Sequence, residues 1–256
     1  MKIGIIGLGV VGSATHDGLL QIGNSMSYYD IAHKNTSMAD VLDTDIVFVC
    51  VPTETINGQC DVTQIQKVVQ QLNQADYVGI IAIKSTVLPG TTDTLINQYP
   101  KLKICFVPEF LRAKSALSDF ISGHDVLVVG TCDTDIYNTV VSSHKRIPKT
   151  SVMISATEAE VTKYFSNLYN ALRIVFANGM FEVCQQIGAD YQNVLQAATS
   201  RNGILPDYLL CSEHYRGFGG HCLPKDTEAF ESFVRTLGLT HLSLFSAIIN
   251  DNRSFK

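Results

Sequence analysis

A glycine-rich decapeptide near the end of the chain, Gly217–Asp226, places a cysteine, a lysine and an acid close together. Pro224 suits the first turn of a helix, and the amides of a helix beginning there would favour a thiolate at Cys222. Lys225 adds positive charge, and Asp226 has the chemistry of a base or a hydrogen-bond acceptor. The segment therefore predicts a nucleophilic cysteine in an active site. The alternative is a small buried cysteine in a tight turn.

The overall composition excludes several classes of protein. Of 256 residues, 46% are hydrophobic, which supports a buried core and argues against disorder. The net charge of -5 gives no reason to expect nucleic acid or an anionic membrane as a partner, and no apolar run is long enough to span a bilayer. The 7 cysteines form no CxxC pair and no signal peptide is evident, so we expect reduced thiols and a cytoplasmic protein. We predict no metal site.

Short apolar runs alternate with helical or polar stretches in the first half of the chain. Such runs are typical of strands buried on both faces of a parallel sheet. Their alternation with helices predicts an α/β fold with a Rossmann-like, doubly wound parallel sheet, in which the carboxyl ends of the strands form one ligand-binding edge. The predicted strands are Ile3–Ile6, Ser27–Tyr29, Ile46–Val51, Val78–Ile83, Ile104–Val107 and Val126–Val129.

A GxGxxG motif follows the first predicted strand and opens a plausible helix over residues 10–22. In this context the glycines permit a tight turn, and the helix N-terminus faces a pyrophosphate. Asp30 ends the next strand at the spacing of an acid that accepts from a ribose 2′-hydroxyl and repels a 2′-phosphate, which predicts NAD rather than NADP as the cofactor. The alternative is a glycine-rich turn without a ligand. The predicted cofactor contacts here are Gly7, Gly9, Val10, Val11, Gly12 and Asp30.

Polar residues follow the later strands at the same predicted edge. Pro52 stops one strand and leaves Thr53 at the edge, where we expect both to lie near the cofactor, and Ser85 and Thr86 follow the next strand at the same edge. The alternative for Ser85 and Thr86 is helix capping or turn chemistry. Glu109 stands between apolar residues after another strand. It is either a capping group or a partly desolvated carboxylate suited to base chemistry, and the pattern leaves both open.

The second half of the chain is predicted to be helical, with the domain boundary near residue 150. This gives an NAD-binding domain over 1–150 and an all-helical central domain over 151–256. The first and longest predicted helix has Ser155 or Thr157 as its N-cap. The predicted helices are Ala156–Ile187, Asp190–Ala198, Asp226–Leu237 and Leu239–Asn250.

Several further residues in the helical half have chemistry suited to a site. Lys163 and Asn167 are four residues apart and share one helix face; the alternative is a solvated lysine and an incidental asparagine. Arg201 lies in a polar turn from which a guanidinium can clamp a diphosphate. Tyr215 and Arg216, just before the glycine loop, are alternatives for substrate contact.

The decapeptide resembles the signature of the UDP-glucose/GDP-mannose dehydrogenase family, and the resemblance extends over essentially the whole chain. The resemblance implies an NAD-binding Rossmann domain followed by a helical, dimer-forming central domain. It also implies oxidation of a nucleotide-sugar from primary alcohol to carboxylate with two NAD and a catalytic cysteine. Residues 247–253 resemble the end of the family's long central helix, which leads in full-length relatives to a third domain over the nucleotide. We therefore expect a short relative or a fragment.

The resemblance also implies a role for each matching residue. Cys222 attacks the aldehyde, and Asp226 takes the alcohol proton, directly or through a water held with Thr86. Glu109 assists hydrolysis of the thioester, while the helix lysine and asparagine stabilise the oxyanions. Ala113 stands where the family usually has a second acid, so we expect less efficient hydrolysis. The implied catalytic residues are Cys222, Lys163, Asn167, Asp226, Glu109 and Thr86, and the implied substrate contacts are Phe110, Leu111, Lys163, Asn167, Arg201, Gly219 and Lys225.

UDP-glucose is the leading substrate that the resemblance implies, with GDP-mannose and UDP-N-acetylhexosamines left open. A nucleotide-sugar substrate and a homodimer are the expected partners. One alternative is a non-catalytic or partner-dependent NAD- or nucleotide-binding module. Another is a single-step hydroxyacid dehydrogenase, which uses a helix lysine and asparagine but no cysteine, and which yields one NADH per substrate instead of two.

Overall fold

The computed structural model of the protein describes residues 1–255, which divide into two compact units. The first unit comprises Met1–Glu54 and Cys60–Lys163, and the second comprises Thr55–Gln59 and the described residues from Tyr164 onward. The units therefore divide the chain inside its longest helix, and the predicted domain boundary near residue 150 stays a prediction.

Residues 1–255 form nine strands, seven of which build one sheet in the first unit. The sheet order is β2-β1-β3-β6-β7-β8-β9, and the remaining two strands, β4 and β5, form a short hairpin. The strands are β1 (Lys2–Ile6), β2 (Ser25–Tyr29), β3 (Ile46–Val49), β4 (Thr55–Ile56), β5 (Gln59–Cys60), β6 (Ile80–Ile83), β7 (Lys103–Phe106), β8 (Val126–Gly130) and β9 (Thr150–Ile154).

Five neighbouring strands, β2 to β7 in the sheet order, run parallel, with Ile5 of β1 paired to Tyr28 on one side and Phe48 on the other. The predicted parallel direction is wrong for Val126–Val129, because β8 joins β7 antiparallel through the pair Phe106 and Gly130. A run buried on both faces has the same apolar pattern in either direction, so the sequence pattern does not encode this reversal. The last strand, β9, pairs parallel to β8 and was not predicted.

Helices cover both faces of the sheet, which confirms the doubly wound α/β fold. On one face Val47 and Ile81 belong to a core that includes Ile65 of α2. On the other face Ile46 and Phe48 belong to a core with residues of α1, α4 and α5. The helices are α1 (Val10–Gln21), α2 (Thr63–Gln74), α3 (Thr91–Gln98), α4 (Ala116–Ser122), α5 (Thr134–His144), α6 (Ala156–Ile187), α7 (Tyr191–Thr199), α8 (Cys222–Thr236) and α9 (Leu244–Ser254).

The second unit is mainly helical: it contains most of α6, the helices α7 to α9 and their connections, together with β4 and the first residue of β5. Helix α6 has the predicted bounds, and Ser155 is its N-cap: the Ser155 amide donates to Glu158 Oε2 (2.8 Å), and the Glu158 amide donates to Ser155 Oγ (3.3 Å). The last helix begins at Leu244 rather than at the predicted Leu239, because the residues after Leu239 first form a turn in which the Leu242 amide donates to the Leu239 carbonyl (3.1 Å). Among residues 1–255, no helix combines the length and apolar character needed to cross a lipid bilayer. The cytoplasmic location stays a prediction.

Candidate active site

The loop between β1 and α1 has the backbone geometry of a phosphate-binding turn. Gly7 has φ +92°, and a Cβ on Gly12 would lie 1.8 Å from the Gly7 carbonyl oxygen, so both positions require glycine. A Cβ on Gly9 would meet no atom within 4 Å, which leaves room at the start of α1. Val10 and Val11 form the first turn of α1, whose amides have no partner within the helix. These features fit the pyrophosphate of a dinucleotide.

The Asp30 carboxylate is fixed at the end of β2 by two backbone amides. Oδ2 accepts from the Leu8 amide (2.6 Å) and Oδ1 accepts from the Ala32 amide (2.7 Å). The bond from Leu8 is the main reason that the pKa of Asp30 is lowered, with a smaller contribution from Ala32. The carboxylate is therefore charged at neutral pH, and its bond to Leu8 fixes it beside the loop Gly7–Gly12. This position and charge suit an acceptor for a ribose hydroxyl.

The polar residues after β3 and β6 bond mainly to the backbone of these loops. The Thr53 hydroxyl donates to the Thr86 carbonyl (2.7 Å), and the Ser85 hydroxyl donates to the Val51 carbonyl (2.6 Å). Pro52 is exposed and Thr86 is half-buried. Capping is not the function of Ser85 and Thr86, because α3 begins five residues later, after Gly90. The contacts instead brace the two strand-end loops against each other at the carboxyl edge.

Glu109 and Lys163 form a buried pair in the first unit. Lys163 Nζ donates to the Glu109 carbonyl (2.5 Å) and to its Oε1 (3.3 Å), and their side chains are 5% and 10% exposed, respectively. The ammonium lies 5.6 Å from the centroid of the Phe110 ring, and the Leu111 amide donates to Glu109 Oε2 (2.7 Å). The desolvated environment predicted for Glu109 is present, and the carboxylate also receives a local amide. Ala113 is exposed and begins a short 3₁₀ turn.

Cys222 is the first residue of α8 and is exposed. The alternative of a small buried cysteine is therefore wrong, because the second glycine-rich loop, residues 217–221, leads to an exposed Cys222 at a helix N-terminus. Pro224 lies in the first turn, as predicted.

Asp226 lies four residues after Cys222 on α8. It is buried (1% exposed), and two side chains donate hydrogen bonds to it. Lys225 Nζ donates to Oδ1 (2.6 Å) and Asn167 Nδ2 donates to Oδ2 (2.6 Å). The Lys225 carbonyl also accepts from the Thr55 hydroxyl of the hairpin (2.9 Å). The second unit thus places an ammonium and a buried carboxylate about one turn after the cysteine on α8, and an amide of α6 holds that carboxylate.

Lys163 and Asn167 are both buried, so the alternative of solvated side chains is wrong. They lie about one turn apart on α6, and each donates to a different carboxylate, Lys163 to Glu109 and Asn167 to Asp226. The sequence indicated that they share a face but did not indicate these two acceptors.

The remaining predicted substrate contacts have different surroundings. Arg201, Gly219 and Tyr215 are exposed. The alternative role of Arg216 in substrate contact is not favoured, because its guanidinium donates to Asn178 Oδ1 (2.7 Å) and to Glu182 Oε1 (2.6 Å) within the second unit.

Two buried charged residues in the first unit were missed. Lys84, at the end of β6, is 3% exposed, and burial lowers its pKa. Its Nζ donates weakly to the Val107 carbonyl (3.4 Å). Glu160 of α6 accepts from the amides of Gly90 (2.6 Å) and Thr92 (2.8 Å) and so caps α3. The sequence could have indicated Lys84, because it directly precedes Ser85 at a predicted strand end. No local sequence pattern indicates the capping role of Glu160. In residues 1–255 no cluster of three or more metal-ligating side chains occurs.

Both halves of the chain match one protein family. Residues 33–147 match the UDP-glucose/GDP-mannose dehydrogenase family, NAD binding domain, and residues 157–254 match the same family's central domain. A UDP-glucose 6-dehydrogenase of Haloferax volcanii, AglM, is 29% identical over 88% of this chain and 56% of its own length. The chain thus spans little more than half the length of that relative.

Solved structures show the same fold. A UDP-glucose dehydrogenase from Pyrobaculum islandicum has a TM-score of 0.90 at 27% identity and covers 99% of this chain, which spans 68% of that structure. A 3-hydroxyisobutyrate dehydrogenase from Mycobacterium tuberculosis has a TM-score of 0.76 at 15% identity, with 99% of this chain and 92% of that one covered. The second likeness extends to the fold alone.

Proposed function

The chain belongs to the UDP-glucose/GDP-mannose dehydrogenase family and carries that family's NAD binding domain, and we propose that it acts as an NAD-dependent nucleotide-sugar 6-dehydrogenase with UDP-glucose as its substrate. The observation that carries the proposal is the exposed Cys222 at the start of α8, one turn before a buried Asp226 that Asn167 and Lys225 hold. A hydroxyacid dehydrogenase needs no such cysteine. The two family matches and the Haloferax relative support the same activity.

NAD, when bound, accepts a hydride from the sugar carbon in each of two oxidations. We assign its pyrophosphate to the glycine loop and the start of α1, and its ribose to Asp30. Pro52, Thr53, Ser85 and Thr86 belong to the loops at the same edge of the first unit, and we propose that they line the cofactor.

In the first oxidation we assign the removal of the alcohol proton to Asp226. Its oxygens are oriented by Lys225 and Asn167, and the family resemblance gives Thr86 the role of holding a water in the same proton transfer. Loss of this proton lets the hydride leave the sugar carbon and gives an aldehyde.

In the second oxidation the Cys222 thiolate adds to the aldehyde carbon, and the resulting thiohemiacetal loses a hydride to become a thioester. Covalent attachment keeps the reactive aldehyde from escaping. Lys163 and Asn167 stabilise the negative oxygen of the tetrahedral species. Water then breaks the carbon–sulfur bond with Glu109 as its base, which releases the carboxylate and returns the thiol.

Substrate contacts follow from the same assignment. We propose that Phe110, Leu111 and Gly219 line the sugar and that exposed Arg201 takes the diphosphate. Lys225 contributes positive charge beside the cysteine.

The deciding experiment counts NADH formed per sugar consumed, with NAD and a panel of UDP- and GDP-sugars. Two NADH per UDP-glucose would support the double oxidation, and one would favour the hydroxyacid-dehydrogenase alternative. Absence of NADH with every sugar, with NAD still bound, would overturn the proposed activity in favour of a nucleotide-binding module.

We also propose that the protein forms a homodimer through α6. Five apolar side chains on one face of this helix are more than half exposed, at spacings of four and seven residues that align them within one stripe. They are Phe165, Tyr169, Phe176, Val183 and Ile187. A second copy of the same helix offers a matching apolar surface, as in a two-fold interface.

Light scattering tests the dimer. We expect the mass of two chains for the unmodified protein and of one chain for Phe176→Glu, because a carboxylate in the stripe would be buried without a partner. Leu205→Glu, at an exposed leucine outside α6, is the control and should keep the dimer. A monomeric unmodified protein would contradict the proposal.

A further inference from the structure

The side-chain amide of Asn252 in α9 forms two hydrogen bonds with the backbone of the loop at residues 217–221, which leads to Cys222. Its Oδ1 accepts from the Phe218 amide (2.6 Å), and its Nδ2 donates to the Phe218 carbonyl (3.0 Å). Asn252 is 4% exposed, so neither bond competes with bulk water. Both main-chain groups of Phe218 are therefore fixed by a single side chain.

A second buried asparagine, Asn178 of α6, holds the residues just before Phe218. Its Oδ1 accepts from the Gly217 amide (3.0 Å) and from Arg216 Nε (2.7 Å), and its own Nδ2 donates to the Ile174 carbonyl (2.8 Å). The bond to Ile174 orients the amide on its helix, so its oxygen points toward the loop.

The loop needs such external support because of its glycines. Gly217 has φ +59°, and a Cβ there would lie 2.8 Å from Asn252 Oδ1, so the close approach of the asparagine requires glycine. The Phe218 side chain packs in a small core with Val175 and Ile248. Beyond it, a Cβ on Gly219 or Gly220 would meet no atom within 4 Å. The loop is thus held by side chains at residues 216–218, whereas its next two glycines pack closely against no other atom.

We propose that Asn252 and Asn178 are positioning residues that hold the loop so that the Cys222 thiol stays placed for capture of the aldehyde. The inference rests on the proposed function for the chemistry that Cys222 performs. The first oxidation needs no thiol, whereas the second begins with carbon–sulfur bond formation. Loss of the clamp should therefore impair the second step selectively and release aldehyde.

The test measures alkylation of Cys222 by iodoacetamide, with exposed Cys132 in the same molecule as the internal reference. Peptide mass spectrometry gives the ratio of the two rates. In Asn252→Ala we expect this ratio to fall on the order of tenfold, because the thiol is no longer held at the helix N-terminus. In Asn252→Asp, which keeps the acceptor for the Phe218 amide but loses the donor, we expect a smaller fall.

The matched control is Asn24→Ala. Asn24 is a buried asparagine of the first unit that also bonds two backbone groups, the carbonyls of Leu19 and Ser143. This variant should lose stability without a change in the alkylation ratio. An unchanged ratio in Asn252→Ala, or an increase, would overturn the clamp, because the loop would then be held elsewhere or shielded by Asn252.

Turnover gives the second readout. Asn252→Ala should yield fewer than two NADH per sugar, with the missing product trapped as an aldehyde by hydroxylamine, and Asn24→Ala should still yield two. A merely destabilised enzyme loses both steps together and keeps the stoichiometry. If the unmodified protein makes no NADH with any sugar, the proposed function fails, while the alkylation ratio still decides the clamp.

Discussion

The proposed cofactor edge of the first unit, here Gly7–Gly12 with Asp30, and the cysteine region of the second unit, here residues 216–226 with Asn167 and Asn178, are built in opposite ways. The cofactor edge uses backbone geometry from a short stretch of chain, in which Asp30 bonds to Leu8 22 residues away. The cysteine region uses side chains joined over long separations, with Asn167 and Asp226 59 residues apart and Asn178 and Gly217 39 apart. A site of the first kind is recognisable from a motif, whereas a site of the second kind depends on how helices pack.

The largest effect expected in the cysteine region is that of Cys222→Ser. Because a hydroxyl at this position is a far weaker nucleophile than a thiolate, we expect uronate formation to fall about a thousandfold or more. The first oxidation should continue, so that NADH per sugar drops from two to one. The measurement is simultaneous assay of NADH, aldehyde and acid.

Cys132→Ser is the matched control, since Cys132 is exposed and lies in the first unit. It should keep full turnover. Uronate formation at the unmodified rate in Cys222→Ser would contradict the role given to the thiol and would remove the main difference between the two regions.

The buried pair of the first unit tests whether that unit also relies on distant side chains. Lys163→Met removes the ammonium and leaves the Glu109 carboxylate buried, which we expect to cost about 3 kcal/mol in the free energy of unfolding. Adding Glu109→Gln should recover most of this loss, because no unpaired charge remains. Urea unfolding of the two single variants and the double variant measures the coupling.

The exposed pair of Lys2 and Asp43 provides the control, with side chains 59% and 93% exposed. Lys2→Met should leave the unfolding midpoint unchanged. Equal stabilities for Lys163→Met and the double variant would show that the Glu109 charge does not need its partner.

The outcome of sequence-based prediction follows the same division. The turn at Gly7–Gly12, the position of Asp30 after β2 and the bounds of α6 were predictable, because each has a local periodicity or spacing. The reversal of β8 was not, since a buried apolar run does not encode direction. The acceptors of Lys163 and Asn167 were also not predictable, because they depend on tertiary packing.

Glu160 is a residue of the first unit whose hydrogen-bond donors, the amides of Gly90 and Thr92, lie 70 and 68 residues away in the chain. Burial raises its pKa from 4.5 to about 6, although the bonds from Thr92 and Gly90 act in the opposite direction. The folded chain therefore binds the proton more tightly than the unfolded chain between pH 4.5 and 6. The free energy of unfolding should fall by about 2 kcal/mol as the pH rises through this window.

Chemical unfolding at several pH values between 4.5 and 7 measures this dependence. In Glu160→Gln the contribution from this window should vanish, because the amide does not titrate. Glu158→Gln, at an exposed residue in the first turn of the same helix, should keep it. The bonds to Ser155 lower the pKa of Glu158, so this carboxyl group titrates below the window. An unchanged profile in Glu160→Gln would assign the pH dependence to another group.

The smallest expected effect concerns the cofactor edge itself. Asp30→Asn keeps the shape but turns an amide donor toward the Leu8 or Ala32 amide and loses the charge that excludes a 2′-phosphate. NAD affinity should fall by roughly tenfold, about 1.4 kcal/mol, and the preference for NAD over NADP should fall by at least as much. Asp40→Asn is the control, because Asp40 also accepts a hydrogen bond from a backbone amide, that of Ser37, in an exposed turn.

Equal binding of NAD and NADP by the unmodified protein would remove the role given to Asp30. A retained preference in Asp30→Asn would show instead that the backbone of the glycine loop selects the cofactor, so that even this edge depends less on its side chain than the motif implies.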